Sequence, residues 1–169
     1  MLELRRSSPV DQEFLDLIEE LDKELWERYP STQQNHAAGN RVAADARAVV
    51  ARAEGSAIGC ACFRPASRIG AAELKRMFVR PERRGSPAAA SILAEIENWA
   101  IEEGYSSMLL ETGVRQPEAL RFYGKRGYHR IPNYGEYEGN VESICMAKRL
   151  DRALRPARIQ VEALREVRG

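Results

Sequence analysis

The spacing of apolar positions changes along this chain, and each change predicts an element. Leu2 to Arg6 alternates apolar and polar residues and predicts a short strand. Phe14, Ile18, Leu21 and Leu25 then recur at helical spacing, with acids between them. That helix is expected to begin at Ser8-Pro9-Val10-Asp11, with Ser8 as cap, Pro9 at the first helical position and Asp11 closing a capping box. It should stop near Tyr29, because Pro30 disfavours helical geometry in the residue before it. Strand patterning returns at Arg47–Ala53 and Ser56–Phe63, which flank the turn Glu54-Gly55 and predict a hairpin. A loop from Arg64 to Gly70 leads to a strand over Ala72–Val79. Strict alternation sets Glu73, Lys75, Met77 and Val79 on one face, and Leu74, Arg76 and Phe78 on the other. Polar residues on both faces mean either that the strand lines a cleft or that it leaves the core at one end.

After a turn at Pro81–Ser86, a helix is expected from Pro87 to Glu103, with Ile92, Ile96 and Trp99 on its buried stripe and Gly104 as its stop. Ser107–Thr112 is nearly all apolar and predicts a central strand. Pro117 opens another helix that ends before Gly127, Tyr128 to Ile131 begins a strand, and Ser143–Ala147 is a late strand. The order β-α-β-β-β-α-β-α-β-β describes an α/β chain (α+β mixed) with a mixed sheet, in which residues 72–112 form a parallel crossover. Residues 1–150 read as a single domain. Residues 151–169 read as an appendage, either a broken helix packed on the body or a second subunit, or a frayed tail.

Composition narrows the class. With 44% hydrophobic and 30% charged residues, 169 residues suit one folded soluble domain. A formal net charge of +1 gives no bulk attraction to nucleic acid or an acidic membrane. The charge is uneven, since Asp11 to Arg28 carries eight acids against Lys23 and Arg28. Three cysteines make no disulfide framework, and Cys60 and Cys62 stand two apart on one strand face, so free thiols are expected. The charged opening Met1-Leu2-Glu3-Leu4-Arg5-Arg6 is unlike a signal peptide, and no apolar run approaches the ~18 residues of a membrane span. A cytoplasmic protein is the expectation. Two histidines and scattered cysteines show no metal-ligand spacing, and His129 reads as structural.

The candidate chemistry centres on Arg83-Arg84-Gly85-Ser86-Pro87-Ala88-Ala89. A basic, glycine-containing turn that enters a helix offers unpaired N–H groups, a helix dipole and arginine charge to a phosphate ester. Val79-Arg80-Pro81-Glu82-Arg83-Arg84-Gly85 before an amphipathic helix, and Gln116-Pro117-Glu118-Ala119-Leu120-Arg121-Phe122-Tyr123 closed by Gly127-Tyr128, resemble the signature segments of the GNAT superfamily of acyl-CoA-dependent N-acyltransferases. Arg84 takes the first place of that family's cofactor motif and Ala89 the last. Pro87 stands where a second glycine is expected, and proline has no N–H to give. Gln116 stands where asparagine is usual.

The resemblance implies a mostly antiparallel sheet of six to seven strands flanked by helices, with strands splayed around Val79 and Leu110. It implies acetyl-CoA as cofactor, with pantetheine along Met77, Phe78 and Val79, pyrophosphate on Arg84, Gly85, Ser86, Pro87, Ala88 and Ala89, and further contacts from Gln116, Ala119 and Tyr123. The acceptor would be a primary amine of a small molecule or peptide that attacks the thioester directly, in a monomer or homodimer. The Val79 N–H would face the carbonyl oxygen. Tyr123 would donate to the leaving sulfur; the alternative is a core aromatic. An alkylamine with a pKa of about 10.4 must lose a proton first. Glu73, six residues before Val79 and so on its face, is the leading base, and Glu111 is its rival. Asn35, His36, Glu111, Tyr134 and Tyr137 would shape the acceptor pocket. The competing reading is a GNAT-like module that senses acyl-CoA, or partners another protein, without turnover.

Overall fold

The computed structural model describes residues 1–30 and 42–151. The expectations for Asn35, His36 and the appendage after Asp151 lie outside the described residues. Seven strands form one sheet: β1 (Leu2–Ser7), β2 (Arg47–Ala53), β3 (Ser56–Pro65), β4 (Ala71–Val79), β5 (Ser107–Gly113), β6 (His129–Ile131) and β7 (Ser143–Arg149), in spatial order β1-β2-β3-β4-β5-β7-β6. Among these pairings only β4–β5 is parallel, joined through the crossover helix α2 (Ala88–Glu102). Helix α1 (Gln12–Arg28) covers one face of the sheet; α2 and the short α3 (Pro117–Gly124) cover the other.

Each helix buries a stripe that its sequence supplies. Phe14, Leu17, Ile18 and Leu21 of α1 pack on Ala48, Val50, Cys60, Cys62 and Phe78. Ile92, Leu93 and Ile96 of α2 pack on Val49, Phe63, Leu74 and Met108. Each such side chain contributes about 1.5–3 kcal/mol on burial. Helix α1 begins later than its sequence suggests. Asp11, not Ser8, is its cap and accepts from the Phe14 N–H at 3.2 Å. Arg5 grips the same carboxylate at 2.8 Å, which holds Asp11 below the usual carboxylate range. Eight residues upstream of Gly104, which ends α2 at φ +95°, Ile96 is fully buried.

The alternation expected in β4 breaks. Cys62 pairs with Lys75 and Cys60 with Phe78, so two steps along β3 match three along β4. The extra residue is a bulge at Arg76, whose φ is +58°. Ala72, Leu74 and Val79 therefore face α2, while Glu73 lies on the opposite side with Lys75 and Tyr137. The inference that Glu73 shares a face with Val79 is thus overturned, because one inserted residue reverses the side-chain parity. Buried Arg76 turns its guanidinium toward α1, reaching Asp22 at 2.5 Å and the Ile18 carbonyl at 3.4 Å. The pairing with β5 ends before the bulge: the ladder runs Ala71↔Ser107, Ala72↔Met108, Glu73↔Leu109 and stops, while β5 stays paired with β7 as far as Gly113↔Ser143.

Candidate active site

The gap between β4 and β5 is the centre of the site. Arg80 N–H donates to the Ile58 carbonyl at 2.9 Å, on the β3 side. Alternation along the strand turns the N–H and C=O of Val79 the other way, into the gap. The Val79 carbonyl accepts there from Arg84 Nε at 3.0 Å.

A cavity of about 310 Å³ lies at the gap, between α1 and the start of α2, and is lined by Met77, Phe78, Val79, Arg84, Gly85 and Ala89, with Leu21, Glu24, Leu25 and Arg28 of α1. Its floor is the start of α2. Gly85 has φ +80°, and a Cβ there would meet nothing of the protein within 4 Å, so the glycine is required by backbone conformation and keeps the cradle open. Pro87 occupies the cap position of α2 in helical geometry. The Ser86 hydroxyl donates to Arg83 O at 2.6 Å and accepts from the Ala88 N–H at 3.3 Å. With Pro87 lacking an N–H and Ala88 capped, the donors that remain at this helix start are those of Ala89 and Ala90. Arg84 pairs with Glu24 of α1 at 2.5 Å, and Arg83 with Glu54 at 2.6 Å.

A second cavity, also about 310 Å³, opens on the far side of the gap and includes Lys75, Glu111 and Tyr137 in its wall. Met77, Gln116, Ala119 and Tyr123 line both cavities. Tyr123 is 7% exposed and packs edge-on against Phe122 and Tyr128 with ring centres 5.2 and 5.6 Å away. Burial, with the Glu111 charge second, pushes its pKa well above that of a free phenol. Gln116 caps the turn before α3: its carbonyl oxygen accepts from Gly113 N–H at 3.2 Å and Thr112 Oγ1 at 3.3 Å. Half-buried Glu111 stands at the end of β5.

Glu73 lies elsewhere, in the wall of a third cavity of about 420 Å³, with Arg64, Tyr134 and Tyr137. It is buried and ion-paired. Its Oε1 meets Lys75 Nζ at 3.0 Å and Arg64 Nη2 at 3.6 Å. Lys75 also donates to the Tyr137 hydroxyl at 2.6 Å. Burial first, then the Glu73 charge, raises both Tyr134 and Tyr137 far above the usual phenol range. The loop carrying both tyrosines is pinned by Asn133, whose amide donates to the carbonyls of Tyr137, Asn140 and Ser143 at 3.0 to 3.2 Å.

Several contributors were not foreseen in the sequence. Arg76 sets the bulge, and no pattern of apolar residues signals a positive φ. Tyr29 ties the end of α1 to the turn after β5: its hydroxyl accepts from the Arg115 N–H at 3.0 Å. A Cβ on Gly113 would stand 1.9 Å from that hydroxyl, which makes glycine obligatory there. The acids of α1 include Glu20, Asp22 and Glu24, which hold Arg80, Arg76 and Arg84 of the body.

Comparison with known proteins agrees with this architecture. Residues 12–128 match the Acetyltransferase (GNAT) family. The chain is 37% identical over 149 residues to the IAA acetyltransferase of Azospirillum brasilense, covering 87% of this chain and 97% of that one. A Klebsiella pneumoniae chain assigned as an acyl-CoA N-acyltransferase superposes with a TM-score of 0.75 at 28% identity, covering 89% of this chain and 99% of the other. The PaiA N-acetyltransferase of Thermoplasma acidophilum, solved with coenzyme A, shares the fold at a TM-score of 0.61 and 20% identity, over 88% of this chain and 99% of its own. The chain belongs to the acetyltransferase (GNAT) family. It is an acyl-CoA-dependent N-acyltransferase. Among the described residues no helix is long and apolar enough to cross a membrane, and no group of three or more His, Cys, Asp or Glu is placed to hold a metal.

Proposed function

We propose that the chain transfers the acetyl group of acetyl-CoA to the amine of a small molecule or peptide, at the gap between β4 and β5. The observation that carries this reading is that Tyr123 lines the cavity on either side of that gap. Acetyl-CoA supplies the thioester acyl group. Met77, Phe78 and Val79 would hold the pantetheine against the open edge of β4. Arg84, Gly85, Ser86, Pro87, Ala88 and Ala89 would cradle the pyrophosphate, with Gln116 and Ala119 beside it. An anion there would draw Arg84 from Glu24 and free the Val79 carbonyl that Arg84 now holds.

From the opposite cavity the amine nitrogen forms a bond to the acyl carbon as the carbon–sulfur bond breaks. The Val79 N–H faces the carbonyl oxygen as it gains charge. Tyr123, kept protonated by its burial, gives its hydrogen bond or proton to the departing sulfur. The amine must shed a proton. Glu111 lines the Tyr123 cavity, whereas Glu73 lines another, so Glu111 is the better placed base. Tyr137 and Tyr134 wall the acceptor side.

The test is calorimetry with acetyl-CoA, followed by measurement of thiol release with a panel of amines. Binding with amine-dependent release is expected. Binding without release for any amine would leave only a sensor, and absence of binding would remove the cofactor assignment as well.

A further inference from the structure

Arg84 lies back across the open edge of β4. Its guanidinium stands over the Phe78 ring, 5.8 Å from the centre. Its Nε donates to the Val79 carbonyl at 3.0 Å, and its Nη2 meets Glu24 of α1 at 2.5 Å. Glu24 has a second cation. Arg28, one turn on, reaches it at 3.5 Å and pairs with Glu118 of α3 at 2.5 Å. Arg84, Glu24, Arg28 and Glu118 all line the same cavity. They form a ladder of alternating charge that runs from the cradle, by way of α1, to α3. The Val79 carbonyl is thus taken by a charged donor, which a neutral amide displaces at a loss. Arg84 can nevertheless leave Glu24 without stranding that carboxylate, because Arg28 stays beside it. The Arg84–Glu24 pair is also partly exposed, and such pairs hold weakly.

We infer that the Arg84 side chain makes the donor site selective for thioesters that carry a diphosphate, by plugging the Val79 carbonyl until a diphosphate draws it away. The inference rests on the reading of the β4 edge as the pantetheine track and of residues 84–89 as the diphosphate cradle. A diphosphate on the cradle offers Arg84 oxygens that match its fork, in exchange for one carboxylate and one backbone carbonyl. The carbonyl then falls free for an amide N–H of the pantetheine arm. A thioester with the arm but no phosphate must evict the guanidinium itself, and it replaces a charge-assisted hydrogen bond with a neutral one. Binding of the remote diphosphate therefore opens the place where the reactive arm lies, and the two parts of the donor bind with positive coupling.

The experiment splits the donor. Acetyl-pantetheine, which has the arm and no phosphate, is supplied with each amine of the panel, with and without inorganic pyrophosphate. Sodium chloride at matched ionic strength controls for screening. Pyrophosphate should raise kcat/KM for acetyl-pantetheine about ten-fold, the worth of one charge-assisted hydrogen bond, while it competes against acetyl-CoA. Arg84→Ala should use acetyl-pantetheine better than the wild type does, lose the response to pyrophosphate, and use acetyl-CoA less well. Opposite signs for the two donors separate a plug from a damaged cradle. No stimulation beyond the salt control, a response retained in Arg84→Ala, or equal loss of both donors in that variant overturns the inference while leaving transfer from acetyl-CoA intact. If no amine releases thiol from either donor, the functional reading falls and calorimetry decides the plug. Pantetheine and pyrophosphate that each tighten the other, in the wild type but not in Arg84→Ala, support it. Independent binding, or binding of neither, overturns it.

Discussion

The two halves of β4 behave as different structures. Ala72 and Glu73 are paired on both edges, with β3 and with β5, and their backbone is closed to ligands. Past the Arg76 bulge, Phe78 and Val79 keep their β3 partners but have none on β5. One edge of a buried strand thus lies open in the middle of the protein, which a sheet tolerates only where something else will use the groups. The closed half carries Glu73 and Lys75 in an ion cluster, and the open half carries the backbone of Val79 beside Tyr123. On the proposed function the difference would separate the work, with backbone on the open half meeting the acyl donor and the closed half serving as support.

The largest effect that can break this division is expected at Tyr123. If it serves the open half, Tyr123→Phe should lower kcat about 100-fold, or about 2.7 kcal/mol, while KM for acetyl-CoA changes little. Steady-state kinetics at fixed amine would read this. An unchanged kcat would make Tyr123 a core aromatic and leave the opening without a proton donor.

Next in size is the bulge itself. Arg76 holds a left-handed backbone that favours glycine, and its buried guanidinium bonds α1. Arg76→Ala keeps the strain and loses the anchor, and should destabilise by about 2 kcal/mol, below the full cost of breaking a buried pair because Asp22 is partly exposed. Arg76→Gly should recover about 1 kcal/mol of that, since glycine adopts this φ freely. Urea denaturation of the two variants would compare them. Equal stabilities would mean that the left-handed residue bears no strain and that the halves are divided by something other than the bulge.

The cofactor side was largely legible in the chain because it is local. Val79 to Ala89 is a strand end, a turn and a helix start, and the positive charge, the glycine and the missing N–H of Pro87 can all be read in order. On the acceptor side the sequence named Glu111, Tyr134 and Tyr137, but not which of them share a cavity, because they meet across the sheet. There parity matters, and a single inserted residue put Glu73 on the face opposite Val79. Nothing in the pattern Glu-Leu-Lys-Arg-Met-Phe-Val announces that insertion. The pairing of α1 acids with body arginines was hidden for a related reason: a charged stripe on a helix reads as solvated until its neighbours are known.

A smaller effect tests whether β4 opens on one edge only. Cys60 and Cys62 lie on β3 and flank the bulge, and both are buried. Burial pushes the Cys62 thiol up to about 12 and raises Cys60 further. Unfolded thiols ionise near about 8.5, so the folded state keeps these protons where the unfolded state gives them up. Their contribution is full below that pH and is lost as pH rises toward the folded values. Each thiol should account for about 1 kcal/mol of lost stability by about pH 9. Denaturation at neutral and alkaline pH, repeated with a Cys60→Val, Cys62→Val double variant, should show a shallower fall in the variant. Rapid alkylation of Cys60 in the native protein would mean that the β3 edge opens too.

The smallest effect concerns Pro87, on the cofactor side of the open half. Its φ of −65° suits the helix start, and its ring holds the turn in one conformation. The same residue withholds an N–H at a place where the Ser86 hydroxyl already occupies the next one. Pro87→Ala returns the donor with little loss of rigidity, and Pro87→Gly returns it with more. Both should lower KM for acetyl-CoA about three-fold, within the ordinary worth of one hydrogen bond. Their melting temperatures should fall, more for glycine, because the unfolded chain gains freedom. Equal KM in all three proteins would mean that the pyrophosphate is held by Gly85, Ala89 and the arginines alone. A raised KM in both variants would mean that a stiff turn matters more to binding than an added donor, so that the open half is selected for shape at this end and for hydrogen bonding only at Val79.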